Sequence, residues 1–286
     1  MPPPKTSVPH DRISRRAFIG ATAAVAGAAV LGGDMFVVEP RRLQISRHTL
    51  PLPGLASGLD GMRIAHLTDV HLPANRAVAR ETLAALAVER PEIVVITGDI
   101  CETANAAADL TAFAREARGT LATVATLGNW EYRGGMGGDV GRNAYAAAGV
   151  PLLVNAHFTI EAGGGALSLV GIDDLVAGSP DPGAALAERP AGVPEIWLTH
   201  APELADRLSP ALPARPAAIL TGHTHGGQIR IPGLPAYTPV GSGRFLAGWY
   251  RDTFAPLYVS RGIGTADVRA RLFCPPELPI FTLQRT

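Results

Sequence analysis

Two cysteines in 286 residues exclude a disulfide framework. Cys101 and Cys274 have no CxxC spacing, which argues against a thiolate metal site and leaves only a single bridge between them open. Lysine is nearly absent. Lys5 is the only one, so the basic charge is arginine, a bias we read as genome composition. Formal net charge is zero, which gives no general electrostatic purchase on nucleic acid. Aromatic residues are 6% of the chain, and no internal repeat is visible. No apolar run has the length and hydrophobicity of a stable membrane span, about 20 residues.

What is present is glycine (32), proline (25) and short apolar runs, in a chain long enough for one sizeable core or two small ones. The start reads as an address. Met1 to His10 is proline-rich and expected to be disordered. Ser14-Arg15-Arg16-Ala17-Phe18-Ile19 then leads into an alanine-rich run to Gly33, which resembles a twin-arginine export signal. This predicts the twin-arginine machinery as a partner and the periplasm, or the outer face of the cytoplasmic membrane, as location. The segment can also stay on as a membrane anchor, since no cleavage site stands out. Residues 1–40 are set aside from the fold, and 41–286 are taken as one domain.

Along the rest, strands are predicted at 42–50, 63–68, 93–97, 121–127, 152–154, 158–161, 167–171, 196–199, 218–221, 257–260 and 280–283. Helices are predicted at 75–90, capped by Asn75, at 104–118, at 144–148 and from Pro202. The glycine-rich stretch Gly134 to Gly138 is expected to be flexible. Five of the apolar strands end in residues able to bind a cation: Asp69 and His71, Asp99, Asn129, His200, and His223 with His225. Within each His or Asp pair the members are two apart, so an extended backbone would place both on one face. His66, inside its strand, is read as structural. Ligands at strand ends gather along one edge of a sheet assembly. Five such endings made of Asp, Asn and His are not explained by core filling.

In this order, Asp69-Val70-His71, Gly98-Asp99, Gly128-Asn129-Trp130-Glu131, His200 and Gly222-His223-Thr224-His225 resemble the calcineurin-like metallophosphoesterase superfamily, from Met62 to Gln228. The tail around Arg261 to Gly264 and Cys274 to Glu277 resembles its small single-domain bacterial branch. The resemblance implies an α/β fold, a four-layer α/β/β/α sandwich of two mixed sheets flanked by helices, with a dinuclear metal site at the strand ends. It implies that Asp69, His71 and His225 hold one metal, that Asn129, His200 and His223 hold the other, and that Asp99 bridges them. Mixed nitrogen and oxygen donors suit Mn, Fe or Zn alike. The implied activity is attack of activated water on phosphorus in a small phosphorylated substrate, with Asp99, Asn129, Glu131 and His225 in the catalytic set.

The chain departs from the pattern at Trp130, where the family has a histidine that steadies the transition state or protonates the leaving oxygen. Indole cannot supply a proton at pH 7. Three readings stand. Glu131 or His157 replaces the acid; or the leaving group needs none, as with the phosphate of a pyrophosphate linkage, including the UDP-2,3-diacylglucosamine type, within an expected preference for phosphodiester or pyrophosphate bonds over monoesters; or the protein binds metal and phosphate in the envelope with little turnover. Trp130 itself either packs beneath the site or stacks on a sugar or base. Arg133 and Arg142 are read as solvated arginines able to clamp a phosphate, Cys101 as a packed thiol, and Asp173 and Asp174 are given no role.

Overall fold

A computed structural model describes residues 31–286. The twin-arginine segment lies outside the described residues. Sheet one has the order β1-β11-β2-β3-β4, built from β1 (Gln44–Leu52), β2 (Arg63–Leu67), β3 (Ile93–Thr97), β4 (Ala122–Thr126) and β11 (Glu277–Arg285). Sheet two has the order β5-β6-β7-β8-β10-β9, from β5 (Ala156–Ala162), β6 (Gly165–Gly171), β7 (Glu195–Leu198), β8 (Ala218–Thr221), β9 (Gly248–Tyr250) and β10 (Leu257–Val259). Both are mixed. β2, β3 and β4 run parallel, as do β6, β7, β8 and β10, while β11 and β5 are antiparallel to their neighbours β2 and β6.

The apolar run of β3 shows why four layers form. Ile93 and Val95 face the core between the sheets, with Val124, Leu198, Leu220 and Phe281. Val94 and Ile96 face the opposite core, against α1 (Arg76–Glu89), α2 (Ala107–Glu116) and α4 (Asp139–Ala148). A strand covered on both faces needs apolar residues at every position. On the outer face of sheet two, Trp197, Ile219 and Val259 pack with Leu186 of α5 (Pro182–Leu186) and Leu204 of α6 (Leu204–Arg207).

Several expectations change. The packed chain begins before residue 41: Glu39 is buried and accepts from the Cys274 backbone N–H, and Met35 accepts from that of Arg271. β1 runs through Pro51 to Leu52, because it is an edge strand and a missing N–H costs it nothing on that side. Asn75 does not cap α1. Its amide donates to the carbonyls of His71 and Thr265, tying two loops of the site together. Leu152 makes one bridge to Ala125 rather than a strand, and the helix after Pro202 is a single turn. The glycine-rich stretch follows α3 (Asn129–Arg133); Gly135 and Gly138 are exposed, while Met136 between them is fully buried beside Cys101.

Cys101 and Cys274 are both buried and free. Reductant is therefore expected to leave the melting temperature and the electrophoretic mobility unchanged; a shift of either would expose a bridge. No helix among the described residues is long and apolar enough to cross a membrane.

Candidate metal centre

Sheet one delivers Asp69 and His71 after β2, Asp99 after β3 and Asn129 after β4. Sheet two delivers His200 after β7 and His223 and His225 after β8. All seven side chains are buried, and they meet where the C-terminal edges of the two sheets converge. Two groups of three form. Asp69, His71 and His225 make one, and Asp99, His200 and His223 the other, each with its donor atoms within 4.8 Å of one another.

The shared face does not come from strand alternation. β2 stops at Leu67 and β8 at Thr221, and the residues beyond are not extended. Asp69 (φ 56°), His71 (φ 53°), Asp99 (φ 54°), His223 (φ 71°) and His225 (φ 50°) all sit in the left-handed region, costly for residues with a Cβ. These turns swing the side chains across the strand ends, and they send His223 and His225 to different triads. Gly222 is required at this junction, because a Cβ there would overlap the Asp69 carboxylate and the Thr68 hydroxyl. His223 then donates its backbone N–H to Asp69 (3.0 and 3.1 Å), locking β8 to β2.

The protonation states fit cations. His200 Nδ1 lies 2.7 Å from the Thr97 carbonyl, and His223 Nε2 lies 2.8 Å from the Val240 carbonyl. A carbonyl only accepts, so each of these nitrogens carries a proton, which leaves the other ring nitrogen of each residue free for a cation or, on His200 beside Asp99, a second proton. Those two nitrogens, His200 Nε2 and His223 Nδ1, face each other at 3.1 Å. His71 Nε2 and His225 Nε2 also lie 3.1 Å apart, and the Nδ1 atoms of both rings are buried without a hydrogen-bond partner. Asn129 Oδ1 is buried without a partner. Buried imidazole nitrogens facing each other, beside an amide oxygen with no partner, are costly unless a proton or a cation lies between them. The donor set thus fits two metal ions, and its mixture of imidazole, carboxylate and amide oxygen accommodates Mn, Fe or Zn.

Electrostatics divide the four imidazoles: His223 and His225 are held neutral, His71 and His200 favour a positive charge. Burial, and then the neighbouring imidazole His200, lower His223 to about 4, while burial lowers His225 to about 3, helped by His71; both are neutral near pH 7. Burial opposes ionisation of Asp99 and Asp69, but the surrounding imidazoles hold both carboxyls below their usual range. Burial opposes protonation of His200 too, yet Asp99, 3.0 Å away, raises it well above the ordinary histidine value. A proton there occupies a cation's place, so acid and metal compete. Adding Mn²⁺ to chelator-stripped protein is expected to raise the melting temperature by roughly 5–10 °C at about a hundred times Kd, and His225→Ala to remove much of that gain. Absence of any shift with Mn²⁺, Fe²⁺ or Zn²⁺ in a thermal melt would contradict a metal site.

Asp99 lies between the triads: its Oδ2 is 3.0 Å from His200 Nε2 and 3.8 Å from His71 Nε2, and its Oδ1 accepts the Trp130 backbone N–H at 2.8 Å. Glu131 belongs to a different layer. Its carboxylate accepts backbone N–H groups from Asp99 (2.8 Å), Ile100 (2.6 Å), Cys101 (3.3 Å) and Gly128 (2.9 Å). Burial and then the Asp99 charge push it up to about 7, against the pull of these donors. All its nearby partners are donors of the Asp99 and Asn129 turns, and it is not in the wall of the open cavity, so the geometry gives it no path to a leaving group. His157 lies on the edge strand β5, also away from that cavity.

The cavity holds about 350 Å³ over the two triads. Trp130 forms one wall, edge-on to His71 with ring centroids 5.8 Å apart, so it stands beside the metal ligands rather than beneath them. Arg133 lines the same wall, whereas Arg142 does not. Asp173 accepts the Tyr132 hydroxyl and Asp174 the backbone of its own turn; both are structural. His66 is buried against Thr97, as a structural histidine is. The opposite wall comes from Gln228, Tyr237, Val240 and Asp267, none of which the sequence marked, although Gln228 directly follows the His-Thr-His-Gly-Gly run. Glu102, 3.3 Å from His71 Nδ1, was also unmarked.

This strand-end geometry has relatives. The chain is 28% identical to the metallophosphoesterase YkuE of Bacillus subtilis, over 96% of this chain and 99% of that one. It is 30% identical to phosphodiesterase YaeI of Escherichia coli, over 95% and 99%. It is 25% identical to the UDP-2,3-diacylglucosamine pyrophosphatase LpxG of Chlamydia trachomatis, over 84% and 89%. The profile of the Calcineurin-like phosphoesterase family matches residues 62–227, from the start of β2 to the second glycine after His225. With four strand ends placing Asp and His in two triads within that span, and a fifth bringing Asn129 beside them, the chain belongs to the calcineurin-like phosphoesterase family.

Proposed function

We propose that this protein is a two-metal phosphohydrolase that acts on phosphodiester or pyrophosphate bonds in preference to monoesters, outside the cytoplasm. The observation that carries the preference is the wall of the cavity. Trp130 occupies the position of the family's acid, and Glu131 and His157, the residues able to replace it, do not face the substrate space. A leaving group that departs without a proton is then favoured. The two relatives named as a phosphodiesterase and as a pyrophosphatase support the same pair of bond types. The twin-arginine segment supports export, to the periplasm or the outer membrane face.

When bound, two cations polarise the phosphoryl oxygens and acidify a water molecule. The chain does the rest. Asp69, His71 and His225 would hold one ion, and Asn129, His200 and His223 the other. Asp99, whose Oδ2 reaches towards both His71 and His200, would offset the mutual repulsion of the ions. The Thr97 and Val240 carbonyls fix the tautomers of His200 and His223, so their lone pairs point inward. Arg133 presents a planar fork of donors to the phosphoryl group from the Trp130 wall.

The test is hydrolysis of bis(4-nitrophenyl) phosphate and of a dialkyl phosphodiester by Mn²⁺-loaded protein. Turnover of the first and weak turnover of the second is the expected pattern. Trp130→His is expected to raise the rate on the alkyl ester by about 10²-fold, the lower range of general acid catalysis, and the nitrophenyl rate far less. An equal effect on both esters would show that acid catalysis is not what Trp130 lacks. No turnover with any metal, despite bound metal, would favour an envelope binding protein.

A further inference from the structure

We propose that the face around the cavity mouth seats on a lipid bilayer carrying anionic headgroups. Among the described residues, exposed large apolar side chains concentrate in three segments, represented by Phe36 and Val38, by Leu234, Tyr237 and Val240, and by Val268. Tyr237, Val240 and Val268 form the mouth itself. The segments are neighbours. The Gln228 amide donates to the carbonyls of Ala266 (3.1 Å) and Val268 (2.6 Å), Arg230 N–H to Leu272 (2.8 Å), and Arg271 N–H to Met35 (2.9 Å). Leu234, Tyr237 and Val240 are 63%, 79% and 84% exposed, a degree of exposure a solvated surface does not favour for three apolar residues in one short loop.

Two further observations select the occupant. Arg41, Arg42 and Arg269 stand exposed on these segments with no ion pair among the described residues, against Asp34 and Asp267 of opposite sign. Apolar side chains flanked by free cations match an interface of acyl chains beneath anionic headgroups. The apolar run from Ala17 to Gly33 also leads directly into the patch at Phe36. A protein surface would not need that continuity. Seated this way, the mouth opens on the headgroup layer, and on the phosphohydrolase reading its substrate arrives as a membrane-borne phosphodiester or pyrophosphate.

The experiment reads position and needs no turnover. Both native cysteines are buried, so full-length Leu234→Cys can be labelled selectively with an environment-sensitive fluorophore. Glu161→Cys, on the hairpin at the opposite end of sheet two, is the reference. With vesicles of phosphatidylcholine containing 30% phosphatidylglycerol, the label at 234 is expected to move to the blue and to be quenched by nitroxide lipid, while that at 161 stays as in water. Binding is expected to be at least about tenfold tighter than to phosphatidylcholine alone. Three outcomes overturn the proposal. The protein floats with vesicles while the 234 label stays in water, so only the N-terminal segment is bound. The label shifts without vesicles as protein concentration rises, so a second copy covers the face. Or no protein floats at all.

Discussion

Asp99→Asn is expected to reduce phosphodiester turnover by about 10³-fold or more while the fold stays intact. The substitution is nearly isosteric, and Asn can still accept the Trp130 N–H through Oδ1. What it loses is the charge between the two triads. A carboxylate about 4 Å from a cation at an effective dielectric near 20 is worth roughly 4 kcal/mol, and each 1.4 kcal/mol is a factor of ten. Because Asp99 reaches towards both groups, the loss weakens both ions. Without metal the variant should melt lower than the parent, since burial opposes the Asp99 charge but the His200 and His71 imidazoles outweigh it and hold the carboxylate ionised in the fold. The melting gain from Mn²⁺ should shrink. Retention of more than a tenth of the parent's turnover with two metals bound would remove Asp99 from the centre of the mechanism.

Glu131→Ala is expected to cost about 4 kcal/mol or more, lowering the melting temperature by roughly 8–16 °C. Four buried backbone N–H groups on the turns after β3 and β4 would lose their acceptor. Those turns carry Asp99 and Asn129, so metal binding should weaken with them. Glu131→Gln separates this role from acid catalysis. If the carboxylate is a girder, Gln lowers the melting temperature and slows activated and alkyl esters by similar factors. If it gives a proton to the leaving group, Gln spares stability and the nitrophenyl ester and slows only the alkyl ester. Thermal melts beside paired rate measurements decide between them.

The apolar runs were legible because regular strands obey a period of two and because covered strands need apolar residues on both faces. Ile93 to Thr97 and Ala218 to Thr221 show this directly. The polar residue that ends each run was legible as well, since a carboxylate or imidazole at a buried strand end needs a partner. Asp69, His71, Asp99, Asn129, His200, His223 and His225 were therefore readable in order, one strand at a time. The rule of alternation stopped where the strands stopped. His223 and His225 do not share a face by being two apart; left-handed backbone turns divide them between two groups. Such dihedrals are imposed by what lies opposite, here the Asp69 carboxylate pressed against Gly222 and bonded to the His223 N–H. That contact spans 154 residues, and no local pattern encodes it.

By itself, the sequence determined which residues are able to bind a cation and that they lie at strand ends, because composition and period are local. Only the tertiary structure decided which way each one points. It turned Glu131 down into backbone donors, stood Trp130 against His71, brought Arg133 and the loop from Gln228 to Val240 to opposite walls of one cavity, and packed Glu39 beneath Cys274. The reason is physical: a side chain's direction beyond the end of a regular element is set by contacts between distant segments, and those exist only once the two sheets have closed on each other.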